Sequence, residues 1–346
     1  MKILTFAPLF YPHIGGVEKH VTRVSEVLAR RGHEVSIITI KHDKSLSDFE
    51  ELNKMKVYRF PRMRLPKVWL WIYKHRDLIK NADVVHCHDF ATFIYWYLPF
   101  RFLYPLKPVF VTFHGYEGII PIPRKILFKR KITELLTKGN ICIGDYIPKW
   151  YGTKANFISY GGVDMPASLR NTNPEGAVFI GRLEKDTGIM MYMDALRILK
   201  EKQGINLKLD VCGNGRLREK IQEIIRGNEL NVELHGFVEK PLDYLDKSKF
   251  AFVSGYLAIL EAMVNKKLVF AVYENKLKKD YLTLMPNSKN MMVIASSPEE
   301  LAEKITYYLN HQKETEEKIK NAYLFSKDQT WEKVTNTYLK LWGVEK

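Results

Sequence analysis

Short apolar runs that stop at a polar residue recur along this chain of 346 residues. DVVHCH, PVFVTFH, GAVFIG and KLVFAV are of this kind. A strand with one wet face alternates apolar and polar residues. A near-continuous apolar strand is covered on both faces, which is the state of a parallel strand between two layers of helices. Helical patterns separate the runs. In VEKHVTRVSEVLARRG the apolar positions Val17, Val21, Val24, Val27 and Leu28 share one face, and Gly32 ends the helix before the strand EVSIITI. Parallel strands joined by helices dictate a doubly wound α/β fold.

The pattern occurs twice. The first set opens with the strand KILTFAP and the loop LFYPHIGG. The second runs through GAVFIG, the helix GIMMYMDALRILKEKQG, NLKLDVCG, the helix GRLREKIQEIIRG, VELHGFV, FAFVS and KLVFAV. A further helix, PEELAEKITYYLNH, carries Pro298 in its first turn with Ser297 as its expected cap, and two more helices close the chain. GGVDMPASLRNTNPEG, rich in Gly, Pro and Asn, reads as the linker and sets domains at 1–165 and 166–329. Ligands bind beyond the carboxyl ends of such strands, and two facing domains would line one cleft. Gly15, Gly16, His86, His88, Asp89, His114, Arg182, Gly213, Gly215 and Glu261 fall at those ends.

No apolar run approaches the ~18 residues that a membrane span needs. MKILTFAPLF reads as a first core strand, not as a signal peptide. Three scattered cysteines, Cys87, Cys142 and Cys212, suggest a reducing compartment without a disulfide frame. Many Lys and Glu with four Gln would suit a thermophile. The net charge of +15 is uneven: residues 1–165 carry +12 and the rest +3. A basic surface points to an anionic partner. No nucleic-acid reading motif is recognisable, so nucleic acid is set aside.

Gly15 and Gly16 precede a helix whose N-terminus favours anions; a plain strand-to-helix turn is the alternative. Arg182 leaves a strand end and Lys185 follows it, a pair suited to a diphosphate or, more simply, to a solvated loop. His86 and His88 would share a strand face while Cys87 points away, which is a poor metal site. His114, at a strand end before glycine, is either a catalytic or sugar-binding group or a structural loop histidine. No Asp-x-Asp offers an anchor for a metal-bridged diphosphate, so no metal is expected. Cys142 and Cys212 read as core residues.

Taken together, FYPHIGGVEKHVTRVSEVLARRGHEV, VVHCHD, TFHG, SYGGVD, IGRL, VCGNG, HGFV and LAILEAM resemble glycosyltransferase family 4. That resemblance implies the GT-B fold, with two doubly wound Rossmann-like domains facing a cleft, and a retaining transfer from a nucleotide sugar. It implies a donor held by the C-terminal domain, a glycan or lipid-linked acceptor held by the N-terminal one, and a last helix, within 330–346, that crosses back. Gly16 matches the glycine that meets the donor phosphate, Arg182 the diphosphate arginine, and Gly213 lies in the matching VCGNG turn. Glu261 matches the second of two paired glutamates, which accepts the ribose hydroxyls from an expected helix start. Lys185 stands near the family's lysine, whose own position is Thr187. His114 would contact the sugar or the reacting hydroxyl. Two departures are plain: the first paired glutamate is Val253 with a shortened turn after it, and the usual glycine-rich loop is YENKLKKDYL. These departures keep a second class open, a weak or inactive relative that binds nucleotide or sugar or supports a partner transferase.

Lys54, Lys56, Arg59, Arg62, Arg64, Lys67, Lys74, Arg76 and Lys80 surround Trp69, Trp71 and Tyr73. A second stretch, IIPIPRKILFKRKITELL, brings Arg124, Lys125, Lys129, Arg130 and Lys131. Basic stretches with aromatic residues lie well on anionic bilayers, so peripheral membrane contact is expected; a solvated basic face is the plain alternative.

Overall fold

A computed structural model describes residues 1–115, 120–166 and 174–344. They divide into two compact units, Met1–Gly162 with Trp331–Lys346, and Val163–Thr330. Much of the linker expected at 161–176 lies outside the described residues.

The described strands of the first unit form an eight-stranded sheet. They are β1 (Lys2–Phe6), β2 (Glu34–Lys41), β3 (Phe49–Leu52), β4 (Met55–Pro61), β5 (Val84–His88), β6 (Val109–Phe113), β7 (Gly139–Ile143) and β8 (Phe157–Ser159). Their spatial order is β3-β4-β2-β1-β5-β6-β7-β8. Every neighbouring pair is parallel except β3 and β4. The central strands β5, β6 and β7 are buried from end to end, as their apolar runs require.

The β3–β4 hairpin was not legible as strands. Asn53 and Lys54 form its two-residue turn, both with positive φ, the backbone of a type I′ turn without the glycine that usually marks one. The hairpin also corrects the reading of the basic stretch. Arg59, counted there as surface charge, is buried on β4. It donates to Glu50 Oε1 at 2.5 Å and to the Tyr11 carbonyl at 2.9 Å, tying the loop after β1 to the sheet. Arg130 is likewise buried.

The second unit holds β9 (Ala177–Ile180), β10 (Leu209–Cys212), β11 (Val232–Gly236), β12 (Phe250–Phe252), β13 (Leu268–Val272) and β14 (Met292–Ala295). Their order is β11-β10-β9-β12-β13-β14, all parallel. Phe179, Val211, Phe252 and Phe270 of the sheet meet Tyr192, Leu196 and Leu199 of the helix Ile189–Gln203 in one core. Ser297 caps the helix Pro298–Asn310 by accepting from the Glu300 amide at 3.1 Å.

In both units the chain fills one side of the sheet, returns to the centre and fills the other side. The reversals fall between β1 and β5 and between β9 and β12. Connections leave such a pair of strands toward opposite faces, so their loops part and open a crevice at the carboxyl ends. No described helix is long and apolar enough to cross a membrane.

Candidate functional site

In the first unit the loop after β1 leads to the helix Gly16–Arg30, with Gly15 as its N-cap. The two glycines differ. A Cβ on Gly15 would lie 2.2 Å from Glu18 Oε2, whereas one on Gly16 would meet nothing within 4 Å. Gly16 is exposed at the helix start. The Glu18 carboxylate already folds back over this first turn, with Oε1 3.0 Å from His13 Nδ1.

Across the switch, the ends of β5 and β6 deliver His86, His88 and His114 into a cluster with His20 of the Gly16–Arg30 helix. The helix Trp331–Trp342 covers it. Trp342 Nε1 donates to His86 Nδ1 at 3.2 Å. An indole nitrogen can only donate, so a neutral His86 carries its proton on Nε2 and gives it to Thr112 Oγ1 at 2.8 Å. Thr112 and the Tyr338 hydroxyl are 2.9 Å apart, and Tyr338 reaches His20 Nε2 at 2.9 Å. His88 Nδ1 and His114 Nε2 share a hydrogen bond of 2.8 Å.

Burial drives the His20 and His86 pKa values down to about 3, with His20 adding to the effect at His86. Burial, then the neighbouring rings, takes His88 and His114 well below the usual value. The cluster is therefore neutral at pH 7. His114 is half-buried, with one ring nitrogen committed to His88. It is a weak base; what it can offer chemically is a neutral hydrogen bond.

Asp89 and Arg130, singled out separately in the sequence, together shape the turn that carries His114. Arg130 Nη2 donates to the Gly115 carbonyl at 2.7 Å and stands 3.5 Å from Asp89 Oδ1. Its guanidinium lies 4.0 Å from the Tyr151 ring centroid. Asp89 itself has a positive φ of 69°. Their partners are far apart along the chain, and local pattern cannot reveal them.

In the second unit Arg182 follows β9. It is exposed and pairs with Asp186 at 2.8 Å. Lys185 is exposed in the short turn Lys185–Thr187. Thr187, where the family's lysine was expected, donates its hydroxyl to the Arg182 and Glu184 carbonyls at 3.0 and 2.7 Å. It holds the turn and carries no charge. Gly213 has a φ of +156°, and a Cβ there would lie 1.8 Å from the Gly181 carbonyl oxygen. The loops after β9 and β10 thus touch backbone to backbone, which glycine alone permits.

Glu261 needs a correction. It is the sixth residue of the nine-residue helix Tyr256–Val264, not its start. It is half-buried, one turn before Asn265, whose side chain donates to the Glu261 carbonyl at 2.8 Å. Val253 is buried, and its amide donates to Phe270 O at 3.2 Å. Only Val253, Ser254 and Gly255 separate β12 from the helix, so the turn is short.

The contacts join the ends of β9, β10, β12 and β13. Ser254 Oγ accepts from the Val272 amide at 3.1 Å and meets the Tyr192 hydroxyl at 3.0 Å. Lys278 donates to the Ser254 carbonyl at 2.6 Å. Sequence reasoning missed this lysine, which comes from the loop that replaces the family's glycines.

Among the described residues, one trio has the spacing of metal ligands: Asp210, Glu233 and His235 on β10 and β11. His235 Nε2 is 2.7 Å from Asp210 Oδ1, and Lys208 stands 3.2 Å from the other Asp210 oxygen. The three cysteines are buried. Burial pushes the Cys142 and Cys212 thiols up to about 12, so both are core residues.

Residues 14–146 match the family Glycosyltransferase Family 4, and residues 163–325 match Glycosyl transferases group 1. The chain is a glycosyltransferase of the family 4 type. An uncharacterized glycosyltransferase of Methanocaldococcus jannaschii is 22% identical over 354 residues, covering 96% of this chain and 95% of its own. The Campylobacter jejuni GalNAc-alpha-(1->4)-GalNAc-alpha-(1->3)-diNAcBac-PP-undecaprenol alpha-1,4-N-acetyl-D-galactosaminyltransferase is 25% identical over 170 residues, covering 47% of this chain and 46% of its own. Anabaena HepE, crystallised with UDP and glucose, superposes with a TM-score of 0.78 at 15% identity over 98% of both chains. The glycosyltransferase has the GT-B fold.

The histidine cluster makes the stability acid-sensitive. His20 and His86 titrate near 6.5 when unfolded and near 3 when folded, so between these values the unfolded chain holds more protons. Their contribution is whole above pH ~6.5 and is lost as pH falls toward 3. At pH 5 the loss is roughly 2 kcal/mol for each histidine. Urea unfolding at pH 7 and pH 5 should show it, and His86→Leu should reduce the difference. Equal stability at both pH values would contradict a neutral buried cluster.

Proposed function

We propose that this glycosyltransferase is a retaining, metal-independent hexosyltransferase that takes a nucleotide-sugar donor in its second unit. The observation that carries this reading is positive charge beside the β9–β12 switch: Arg182 and Lys185 precede the start of the helix Ile189–Gln203. That is where a doubly wound sheet accepts a ligand, and two cations beside a helix N-terminus suit a diphosphate. HepE, alike in fold, carries UDP and glucose.

The bond from sugar to diphosphate breaks as the acceptor oxygen bonds to the same carbon. Charge grows on the departing diphosphate, and Arg182, Lys185 and the helix start stabilise it there without a metal. The acceptor's proton leaves with the diphosphate, the strongest base formed in the step; His114, held well below its usual basicity, is not the base. Glu261 accepts the ribose hydroxyls. Gly16 and His114 are the first unit's candidates for contact with the phosphate and with a sugar or acceptor hydroxyl.

The buried Val253 favours the weaker form of this reading, in which the sugar is loosely held and turnover is slow. Discrimination among sugars depends on buried polar partners, and this one is missing.

The acceptor is a glycan or a lipid-linked glycan presented at an anionic membrane surface. Arg59 and Arg130 drop out of the basic face because they are buried. Arg62, Arg64, Lys67, Lys74, Arg124, Lys125 and Lys131 remain exposed. Exposed apolar residues join them: Leu70 and Tyr73, then Phe102, Leu103 and Leu106, then Phe128 and Leu135. Their helices Leu65–Lys74, Leu98–Leu103 and Arg124–Leu136 all pack on the π-helical turn Phe93–Tyr97. Leu106 is 94% exposed. Apolar tips within a basic field fit an anionic bilayer.

Arg182→Ala and Glu261→Ala should each weaken nucleotide-sugar binding about tenfold or more, since a hydrogen bond to a charged group is worth roughly 1.5–3 kcal/mol. Calorimetry with a donor panel, paired with an assay for nucleoside diphosphate release, checks this. Unchanged affinity in both variants would sink the assignment. In a separate test, phosphatidylglycerol vesicles should pellet the protein at low salt and release it at high salt. Equal partition onto neutral vesicles would count against the membrane surface.

A further inference from the structure

Lys278 lies in the first turn of the helix Lys276–Thr283, whose N-cap Asn275 accepts from the Lys278 amide at 2.8 Å. Its side chain turns inward. The ammonium nitrogen donates to the Ser254 carbonyl at 2.6 Å and stands 4.0 Å from the Tyr281 ring centroid. That ring is fixed in turn: it stacks on Tyr256 at 3.9 Å, and its hydroxyl accepts from the Tyr256 amide at 2.9 Å. Lys278 is thus a positioned cation at the end of β12, beside the short turn where the family's first glutamate is missing.

Two other charges act on it, both from the turn after β9. Asp186 favours the charged form and Arg182 opposes it. Burial outweighs both and brings the pKa down to about 8. Asp186, the ion-pair partner of Arg182, is thus also within electrostatic reach of Lys278, and exposed Lys185 lies in the same turn. The Arg182–Asp186 pair is exposed, and such pairs are worth about 0–1 kcal/mol, so an incoming anion exchanges readily for Asp186. Of the three ammonium N–H groups one goes to Ser254; among the described residues no other acceptor holds Lys278, which leaves two for a ligand.

We propose that Lys278 is a diphosphate-binding residue of the donor site, acting with Arg182 in place of the missing lysine at 187. This rests on the reading of the second unit as the donor site. In the empty site a fraction of Lys278 is neutral; a diphosphate beside it restores the favourable field that burial removed, and the lysine takes up a proton. The titratable and charged groups around it are Asp186 and Arg182 from the β9 turn, Tyr281 from its own helix and Tyr256 from the helix after β12.

The test is calorimetry of the full chain with UDP, GDP and ADP at pH 8.5, in two buffers that differ in ionisation enthalpy. With the free lysine's pKa lowered to about 8, the wild type should take up a measurable fraction of a proton per nucleotide bound. Lys278→Arg should bind within about threefold of the wild type but without that uptake, because its guanidinium stays charged. Lys278→Met should bind the diphosphate at least tenfold more weakly, with little change for the matching nucleoside. If Lys278→Met keeps its diphosphate affinity, or if Lys278→Arg still takes up the proton, the proposal is overturned while the donor-site reading stands. If the wild type binds none of the three diphosphates, the donor-site reading falls and the proposal with it.

Discussion

A parallel sheet built outward from its middle must reverse direction once, and the two loops at the reversal part because they belong to connections on opposite faces. Much of this chain's arrangement follows from that constraint, applied twice. At the β1–β5 reversal it sets the loop before Gly16 against the end of β5. At the β9–β12 reversal it places the loop that carries Arg182 beside the turn at 253–255. Elsewhere the same winding crowds the backbone. Loops after β9 and β10 approach so closely that a Cβ on Gly213 would lie 1.8 Å from Gly181 O, and one on Gly215 would lie 2.4 Å from Leu183 O. The glycines of CGNG are thus required by the sheet's own geometry, whatever binds nearby.

Charge is used in two ways, and burial decides which. Arg59 and Arg130 are sealed in the first unit, where removing the carboxylate partner of a buried arginine typically costs about 3–5 kcal/mol. They hold the Tyr11 carbonyl and the Gly115 carbonyl, so they position the loop before Gly16 and the turn that carries His114. Arg182 is paired only at the surface, where the partner contributes about 1 kcal/mol or less. A residue held so lightly is free to exchange its partner for a ligand. The histidine cluster follows a third course. Neutral rings linked through Thr112, Tyr338 and Trp342 satisfy their polar atoms without burying charge, and they tie the helix Trp331–Trp342 to the first sheet.

The fold was legible because parallel strands leave a local mark: VVHCH, VFVTF and LVFAV are buried along their whole length. The motifs at their ends could be placed by strand position alone. Features that depend on distant partners were not legible. Arg59 and Arg130 read as surface charge because Glu50 and Asp89 approach them only through the fold. The β3–β4 hairpin was hidden by its charged strand FEEL and by a turn that puts Asn53 and Lys54 in the left-handed region without glycine. Glu261 read as a helix-start carboxylate because SGYLAILEAM does not announce that its helix begins at Tyr256. Lys278 looked like one lysine among several in ENKLKKD; only its carbonyl partner, 24 residues away, distinguishes it.

In the proposed function the donor nucleotide sits at the carboxyl ends of β9, β10 and β12. Amide hydrogen exchange, with and without a saturating nucleotide sugar, measures this directly. Protection should appear in residues 182–187, 213–215 and 254–278, and should be weak at the opposite ends of these strands. Saturated binding with those three segments unprotected would contradict it.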